Sequence, residues 1–276
     1  MAPHFTHLAA VGSTNDWLLA RADALPDGHW VITTRQTAGR GRRGRVWDDG
    51  AGNFMGSVLV RADGAVQQLS FVAALAVVES LACPLSSSTS LAGEVGFGAS
   101  EPGEGLPHAQ PPAQPPHPAA LTREPPSPAG GEGFSLKWPN DVLLNGMKCA
   151  GILLERQGSA LVIGIGINLA QHPEGTERPA TSLAAAGLPV PLPMDVLTIL
   201  AARFAHWRHI WAFDGFAPIR AAWLERAAGL GGRMVARLGA EAPEGVFDGL
   251  AQDGALLLRL DDGAVRAIHA GEVFAV

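Results

Sequence analysis

The stretch from Phe134 to Ala170 constrains the fold of this chain most, because it reads as three apolar strands joined by tight turns. Asn145-Gly146 is the dipeptide typical of a two-residue hairpin turn, since such a turn needs positive φ at both positions. Arg156–Ser159 separates the second strand from the third and again contains a glycine. The stretch therefore predicts two successive β-hairpins.

Helical and strand patterns surround these hairpins. Ser13 followed by Asp16 forms a capping-box pattern at the start of a helix whose apolar residues continue to Leu25. A second helix is predicted over Val66–Ala82, with its apolar residues on one side. The other predicted elements are strands at Trp30–Thr34 and Asn53–Val60, and helices around Met194–Phe213 and Phe216–Gly229.

The last part of the chain, from Arg233 to Val276, has a different pattern. The turn sequences PEG, QDG and DDG divide it into five short alternating segments. Short strands joined by tight turns at this spacing are typical of a small β-barrel.

Residues 84–133 interrupt the pattern with about fifty residues that lack apolar periodicity, far more than an ordinary loop. This segment holds 11 of the chain's 21 prolines, and such a density favours extended conformations over helix or sheet. We interpret it as a disordered insertion. A spacer is favoured over the alternative, a proline-rich ligand for an adaptor domain.

Composition and charge exclude several classes of protein. The chain has 276 residues, 47% of them hydrophobic, and a formal net charge of −6, which argues against a general nucleic-acid or membrane-surface role. Two cysteines do not form a disulfide framework. Neither a signal peptide nor an apolar run long enough to span a membrane is evident. We therefore expect a cytoplasmic protein.

Positive charge is concentrated in one segment of this acidic chain, the sequence GRGRRGRVW at Gly39–Trp47. Its three glycines allow the backbone to approach a ligand closely. Its four arginines carry planar guanidinium groups that match carboxylate and phosphate oxygens. An anion-binding loop is one interpretation, and a solvated basic turn or an RNA-binding patch is the other.

Two further motifs carry lysines. KWPND, at Lys137–Asp141, offers a cation, an amide and a carboxylate, although Pro-Asn-Asp is also ordinary turn chemistry. KCAGILLE places Lys148 at the entrance of a long apolar strand. Burying a charged ammonium group in an apolar core is costly, so we expect the ammonium group of Lys148 to contact an anion or a solvent-filled cleft.

The sequence GIGIN, at Gly164–Asn168, places two glycines inside a strand. It lacks the strand–turn–helix setting that the dinucleotide-binding fingerprint needs. Glycines inside a strand instead indicate close approach by a ligand or another backbone.

Taken together, these motifs resemble one family, the biotin protein ligases. The resemblance rests on the order and spacing of STN at Ser13–Asn15, GRGRRGRVW, KWPND, KCAGIL and GIGIN, with ATSL at Ala180–Leu183. It implies an α+β fold in which a mixed β-sheet is flanked by helices, related to class II aminoacyl-tRNA synthetases and lipoate ligases. A small SH3-like barrel would follow. The implied domains are residues 1–229 for catalysis, including the insertion at 84–133, and residues 230–276 for the barrel.

The resemblance also implies a reaction. Biotin and Mg-ATP would give biotinyl-5′-adenylate and pyrophosphate, and a lysine of a biotin carboxyl carrier protein would then take the biotin and release AMP. Bifunctional members of the family carry an N-terminal helix-turn-helix that represses biotin genes. Only twelve residues precede Ser13, so we expect no operator binding. We expect a monomer or a homodimer.

A role follows by resemblance for each matching residue. The implied contacts to biotin are Ser13, Thr14, Asn15, Gln36, Arg40, Gly41, Arg42, Lys148 and Gly151. The implied contacts to ATP or the adenylate are Arg43, Arg45, Trp47, Asn140, Asp141, Gly164, Gly166 and Asn168. Arg42, Lys148 and Asp141 are implied to be catalytic, and Asp141 also to be a Mg²⁺ ligand. Trp47 as a core anchor and Asn168 as a turn residue stay open as alternatives, and Trp138 is expected to serve packing.

Two other functions compete with this one. A lipoate ligase on the same scaffold would share much of the pattern, although the tandem of GRGRRGR with KWPND and the C-terminal barrel speak against it. A non-enzymatic protein that senses biotin or binds nucleic acid would bind its ligand without needing Lys148 or Asp141.

Overall fold

The fold was examined in a computed structural model, which describes residues 4–47, 50–82 and 133–276. The predicted insertion at residues 84–133 lies outside the described residues, apart from its last glycine.

A seven-stranded mixed sheet forms the centre of the larger domain. Its strands are β1 (Phe5–Leu8), β2 (Trp30–Thr33), β3 (Phe54–Arg61), β4 (Phe134–Lys137), β5 (Asp141–Leu144), β6 (Met147–Gln157) and β7 (Ala160–Ile167). They lie in the order β1-β2-β3-β7-β6-β5-β4. β1 and β2 are parallel, whereas the other neighbouring pairs are antiparallel.

Both predicted hairpins are confirmed, although the stretch forms four strands and not the predicted three, because a turn at residues 138–140 separates β4 from β5. Asn145 and Gly146 have φ angles of 51° and 78°, the left-handed conformation that a tight turn between β5 and β6 requires. Gly158, with a φ of 60°, makes the turn between β6 and β7. The second hairpin fixes the register of β6 and β7 from Ala150 opposite Ile167 to Gln157 opposite Ala160.

Helices cover both faces of the sheet. They are α1 (Thr14–Leu19), α2 (Leu69–Ala82), α3 (Pro193–Asp214) and α4 (Phe216–Leu224). Val31 and Leu59 pack with Leu18 of α1, whereas their chain neighbours Ile32 and Val58 belong to the main core with α2 and α3. Successive strand residues point to opposite faces, so α1 covers one face and α2 to α4 cover the other.

Three elements that precede β4 differ from the sequence-based expectation. α1 ends at Leu19 rather than Leu25, and turns follow it. The strand β1 has no matching prediction, since it is a short edge strand with largely exposed residues. α2 is buried nearly all round rather than on one side, because it packs against the sheet, α3 and α4.

α4 also ends earlier than predicted, at Leu224 rather than Gly229. The backbone beyond it pairs with β4 instead of continuing the helix. The amide of Leu136 donates to the carbonyl of Arg226 (2.7 Å), and the amide of Ala228 donates to the carbonyl of Leu136 (2.8 Å). These bonds satisfy the backbone groups that helical bonds would otherwise use.

Five strands form the C-terminal sheet, as predicted. They are β8 (Arg233–Arg237), β9 (Glu244–Leu250), β10 (Leu256–Arg259), β11 (Val265–Ile268) and β12 (Glu272–Ala275). Neighbouring strands are antiparallel in the order β11-β10-β9-β8-β12. The α+β class with a separate C-terminal β-domain is thus confirmed.

Side-chain hydrogen bonds connect the domain of the large sheet to the domain of the C-terminal sheet. Trp138, only 3% exposed, donates from Nε1 to the carbonyl of Gly254 (3.0 Å), and Gln68 donates from Nε2 to the carbonyl of Gln252 (2.9 Å). This confirms the expected packing role of Trp138. Within the described ranges, no helix is long and apolar enough to cross a membrane.

Candidate active site

The predicted site residues meet around one cavity of about 330 Å³. It lies between the arginine loop (Gly39–Trp47), strands β5 to β7, the segment 173–180 and the start of β12. The lining includes sixteen predicted residues: Ser13, Thr14, Asn15, Gln36, Arg40, Gly41, Arg42, Arg45, Trp47, Asn140, Asp141, Lys148, Gly151, Gly164, Gly166 and Asn168. The side chain of Arg43, the seventeenth, lies outside the described part of the chain.

A buried polar cluster closes one end of the cavity at the start of α1. Gln36 Oε1 accepts hydrogen bonds from the amide (2.9 Å) and hydroxyl (3.1 Å) of Thr14. Asn15 donates from Nδ2 to a carboxylate oxygen of Glu155 (2.6 Å). The hydroxyl of Ser57 lies 2.6 Å from Asn15 Oδ1 and 2.7 Å from Thr14 Oγ1. Ser13 caps the helix, as predicted, by accepting from the amide of Asp16 (3.4 Å). The cluster presents fixed donors and acceptors to a ligand.

Ion pairs fasten the arginine loop at its first arginine. The guanidinium of Arg40 donates to both oxygens of Asp16 (2.7 and 2.5 Å) and to Glu155 (3.2 Å). Its hydrogen bond to Arg40 holds the pKa of the Asp16 carboxyl below its usual value, and the same bond raises the pKa of Arg40. The loop is therefore anchored to α1 and β6.

A second contact connects the arginine loop to the KWPND turn. Arg42 lies in a short 3₁₀ turn, Arg42–Gly44, and donates from Nη1 to Oδ1 of Asn140 (3.3 Å). Asn140 in turn donates from Nδ2 to the carbonyl of Ile152 (2.5 Å). The arginine loop and the KWPND turn are thereby placed side by side, as expected if both contact one ligand.

The glycines of the two central strands make room for side chains. A Cβ on Gly166 would overlap the indole ring of Trp47, and one on Gly151 would stand 2.9 Å from Cζ3 of that ring. A Cβ on Gly164 would stand 2.5 Å from Oδ1 of Asn15. The predicted close approach is therefore made by side chains of the site itself. The Nε1 of Trp47 is buried and has no hydrogen-bond partner among the described residues.

Charged side chains alternate in sign along the opposite wall. Lys148 Nζ lies 2.6 Å from Oδ1 of Asp141, and Arg178 Nη1 lies 3.7 Å from Oδ2 of the same carboxylate. Glu272 of β12 lies 3.6 Å from Arg178 and 3.0 Å from Arg45. As expected, Lys148 meets an anion, and here that anion belongs to the protein.

Lys137 stands beside this wall with its ammonium 5.4 Å from the centroid of the Phe274 ring. Burial, and to a smaller extent the positive charge of Arg178, lower the pKa of Lys137 to about 8. The group thus titrates close to neutral pH.

Asn168 is fully inside the protein, at 3% exposed, and is held at the end of β7. Its Nδ2 donates to the carbonyl of Thr181 (3.0 Å), and its amide donates to the carbonyl of Cys149 (2.7 Å). Asn168 therefore anchors the segment that precedes Thr181 as well as lining the cavity. Burial raises the pKa of the Cys149 thiol to about 12, so this side chain behaves as a small buried apolar residue.

Sequence reasoning missed four residues of the site. Glu155 ends the motif KCAGILLE on the same face of β6 as Gly151, so its period-2 spacing was an available signal. Ser57 is a lone hydroxyl in an apolar strand, opposite Gly164. Arg178 and Glu272 offered no signal, because they lie in a segment without periodicity and at the far end of the chain.

Comparison with known proteins gives two matching family models. Residues 8–171 match the biotin/lipoate A/B protein ligase family. Residues 231–276 match the biotin protein ligase C-terminal domain. The first range covers the large sheet except for residues 5–7 of β1, and the second covers the C-terminal sheet.

Similar proteins are found among both sequences and solved structures. A biotin–[acetyl-CoA-carboxylase] ligase from Paracoccus denitrificans is 39% identical, over 97% of this chain and 98% of that protein. A ligase of the same name from Mycobacterium tuberculosis is 33% identical, over 96% and 86%. The structure of a biotin protein ligase from Aquifex aeolicus with biotin and ATP superposes with a TM-score of 0.74 at 23% identity, over 99% of each chain.

Proposed function

This chain belongs to the biotin/lipoate A/B protein ligase family, and from that premise we propose that it attaches biotin to a protein lysine at the expense of ATP. The acceptor we propose is the biotin carboxyl carrier part of acetyl-CoA carboxylase, the enzyme in the name of its relatives. The division into a catalytic domain at 1–229 and a C-terminal domain at 230–276 is also a proposal, supported by the two matching family models.

The reaction has two steps. In the first, a carboxylate oxygen of biotin attacks the α-phosphorus of ATP, the bond to the oxygen that bridges to the β-phosphorus breaks, and pyrophosphate leaves. In the second, the lysine amine attacks the carbonyl carbon of the resulting mixed anhydride, loses a proton, and AMP leaves with the bond's electron pair. The first step brings two anions together, so it needs positive charge placed in advance.

The observation that carries this proposal is the set of cations around one cavity. Arg40, Arg42, Arg45, Lys148 and Arg178 all line it, in a chain whose net charge is −6. A cavity of about 330 Å³ is also of the size that small-molecule sites in proteins have. An anionic ligand explains why positive charge gathers there.

The polar cluster at α1 is the proposed site for the ureido end of biotin. Ser13, Thr14, Asn15 and Gln36 line that end of the cavity, and their donors and acceptors are held in place by one another and by Glu155. Arg40, Gly41 and Gly151 are proposed to line the rest of the biotin pocket. A preorganised polar end of this kind favours one orientation of the ligand.

Arg42 and Lys148 are the proposed partners of the biotin carboxylate and the α-phosphate. Asp141 holds Lys148 at 2.6 Å, which fixes the ammonium group where charge develops. The proposed nucleotide contacts are Arg43, Arg45, Trp47, Asn140, Gly164, Gly166 and Asn168, with the Trp47 ring beside adenine.

The arginine loop also suits the protection of a reactive intermediate. The mixed anhydride would be hydrolysed by water, so the site must exclude water until the acceptor arrives. The loop is fastened at Arg40 and Arg42 and carries exposed residues between Gly44 and Val46. We propose that it closes over the adenylate and reopens for the acceptor lysine.

The side chains do not fit a metal ion held by the protein. Both oxygens of Asp141, the predicted Mg²⁺ ligand, face cations of the protein itself. Magnesium typically binds through one or two carboxylates plus substrate phosphates. It therefore enters this proposal only as the counter-ion of the ATP substrate.

An intact-mass assay tests the proposed function. Purified protein is incubated with Mg-ATP, a biotin carboxyl carrier domain and either biotin or lipoate. We expect one biotinyl group on the carrier, and none when its acceptor lysine is changed. A gain of lipoyl instead would assign the chain to the lipoate side of its family. No gain with either substrate would refute ligase activity.

A further inference from the structure

Arg178 is a cation of the cavity to which no motif assigns a role. It belongs to the segment 173–180, and it lines the cavity together with Pro173, Thr176, Glu177 and Ala180. Its Nη1 approaches Oδ2 of Asp141, while Lys148 approaches the other oxygen of that carboxylate. Two cations thus flank one small anion, as two cations flank neighbouring phosphoryl groups of a bound nucleotide.

The guanidinium of Arg178 is only loosely paired with the protein. Its distances to Asp141 and Glu272 are 3.7 and 3.6 Å, well beyond the roughly 2.7–2.9 Å of a charge-assisted hydrogen bond. Its Nη2 donates to the carbonyl of Val273 over a long distance of 3.5 Å. Its Nε is buried without a hydrogen-bond partner among the described residues. Donors are therefore available to a further anion.

The guanidinium of Arg178 is nevertheless held in place, because it packs on an aromatic ring. Its Cζ lies 4.2 Å from the centroid of Phe274 in β12, a distance typical of a cation–π contact. Its side chain is 19% exposed. A cation that is held by stacking and not by tight ion pairs can exchange its weak carboxylate contacts for a ligand at little cost.

Resting on the proposed function, we propose that Arg178 binds the terminal phosphoryl groups of ATP and stabilises the departing pyrophosphate. When the bond between the α-phosphorus and its bridging oxygen breaks, negative charge accumulates on that oxygen and on the β-phosphoryl group. Lys148 and Arg42 bind the α-phosphate and the biotin carboxylate, and Arg178 places positive charge beside the departing pyrophosphate. It is then a catalytic residue of the first step and has no part in the second.

The chain contains a matched control for this assignment. Arg237 of β8 packs on the same ring, with Cζ 4.1 Å from the centroid of Phe274. It pairs with Glu177 at 2.9 Å. Unlike Arg178, it is not part of the cavity lining. Loss of Arg237 therefore removes a comparable stacking contact on the same ring and an ion pair to Glu177 of the lining, while the guanidinium of Arg178 stays in place.

The test compares Arg178→Ala, Arg178→Gln, Arg178→Lys and Arg237→Ala in the full chain. Biotin-dependent exchange between pyrophosphate and ATP reports the first step, and transfer from supplied biotinyl-5′-adenylate to the carrier domain reports the second. We expect kcat/KM for ATP to fall about 10- to 100-fold in Arg178→Ala and Arg178→Gln. Arg178→Lys should recover part of the loss. Arg237→Ala should resemble wild type, and transfer from supplied adenylate and AMP affinity should stay within about twofold throughout.

The outcomes separate this inference from the function on which it rests. Wild-type protein that forms no adenylate refutes the proposed function, and the inference with it. Normal exchange in Arg178→Gln, beside an active wild type, overturns the inference alone. Equal losses in Arg178→Ala and Arg237→Ala, or equal losses in both steps, would assign Arg178 a structural role and overturn it as well.

Discussion

Lys137 offers an unusually clean test of the electrostatics of this site. Of the 20 basic residues only Lys137 and Lys148 are lysines, and the chain has no tyrosine, so few groups titrate between pH 8 and 10.5. Burial lowers the pKa of Lys137 to about 8 from its ordinary value of 10.5. The unfolded chain therefore binds this proton in a pH range where the folded protein has released it.

The sign of the effect follows from proton linkage. Stability rises with pH wherever the unfolded state binds more protons than the folded state, here between pH 8 and 10.5. The full pKa difference corresponds to about 3 kcal/mol, at about 1.4 kcal/mol per pKa unit. Because Lys137 is only partly buried and water screens its charge, we expect about 1–2 kcal/mol. Below pH 8 the buried charge of Lys137 lowers the free energy of unfolding by this amount. Above pH 10.5, where the amine is neutral in both states, this loss of stability disappears.

The assay is urea unfolding of wild type, Lys137→Met and Lys137→Arg at pH 7.5, 9 and 10.5. Lys137→Met should be about 1–2 kcal/mol more stable than wild type at pH 7.5, and that advantage should vanish by pH 10.5. Lys137→Arg stays charged, so its deficit relative to wild type should widen as the pH rises. Contributions of the cysteines and the N-terminus cancel between variants. A pH-independent difference between wild type and Lys137→Met would refute the reasoning.

Three further variants test the site. Gly166→Ala should displace the Trp47 ring, because the added Cβ would overlap it. We expect a higher KM for ATP and an unchanged far-UV circular dichroism spectrum. A wild-type KM would contradict this. Arg42→Gly should let the adenylate escape, so that bystander proteins in a mixture become biotinylated, as a streptavidin blot would show; labelling at the wild-type level would exclude a retaining role. Lys148→Ala should slow pyrophosphate release about 100-fold or more, and an unchanged rate would exclude Lys148 from the first step.

Local sequence patterns predicted the parts of the fold that local physics determines. The Asn145-Gly146 turn needs two left-handed residues, and few dipeptides supply them. The five C-terminal strands follow from turn residues at short spacing. The end of α4 could not be predicted, because Leu136, distant in sequence, supplies the bonds that stop it. Tertiary pairing there overrides helix propensity.

The same distinction applies to the site. The motifs that the family resemblance brought together do line one cavity. The sequence did not indicate the partners of these motif residues where the partners lie elsewhere in the chain, as Glu272 does for Arg45. The glycines of β7 are points of close approach, but the approaching groups are the side chains of Trp47 and Asn15 and not the predicted ligand or backbone. These side chains come from a loop and a helix whose positions depend on the complete fold.

The pairing of charges along the cavity explains how an acidic protein tolerates a cluster of cations. Lys148, Arg178 and Arg45 each face a carboxylate of Asp141 or Glu272, so the cluster avoids the repulsion that like charges would otherwise impose. An incoming phosphate or carboxylate can exchange with these internal anions. Both carboxylate contacts of Arg178 are loose, at 3.6 and 3.7 Å, whereas Arg45 lies 3.0 Å from Glu272 and Lys148 lies 2.6 Å from Asp141. The proposal that Arg178 binds the terminal phosphoryl groups therefore predicts that this exchange begins at Arg178.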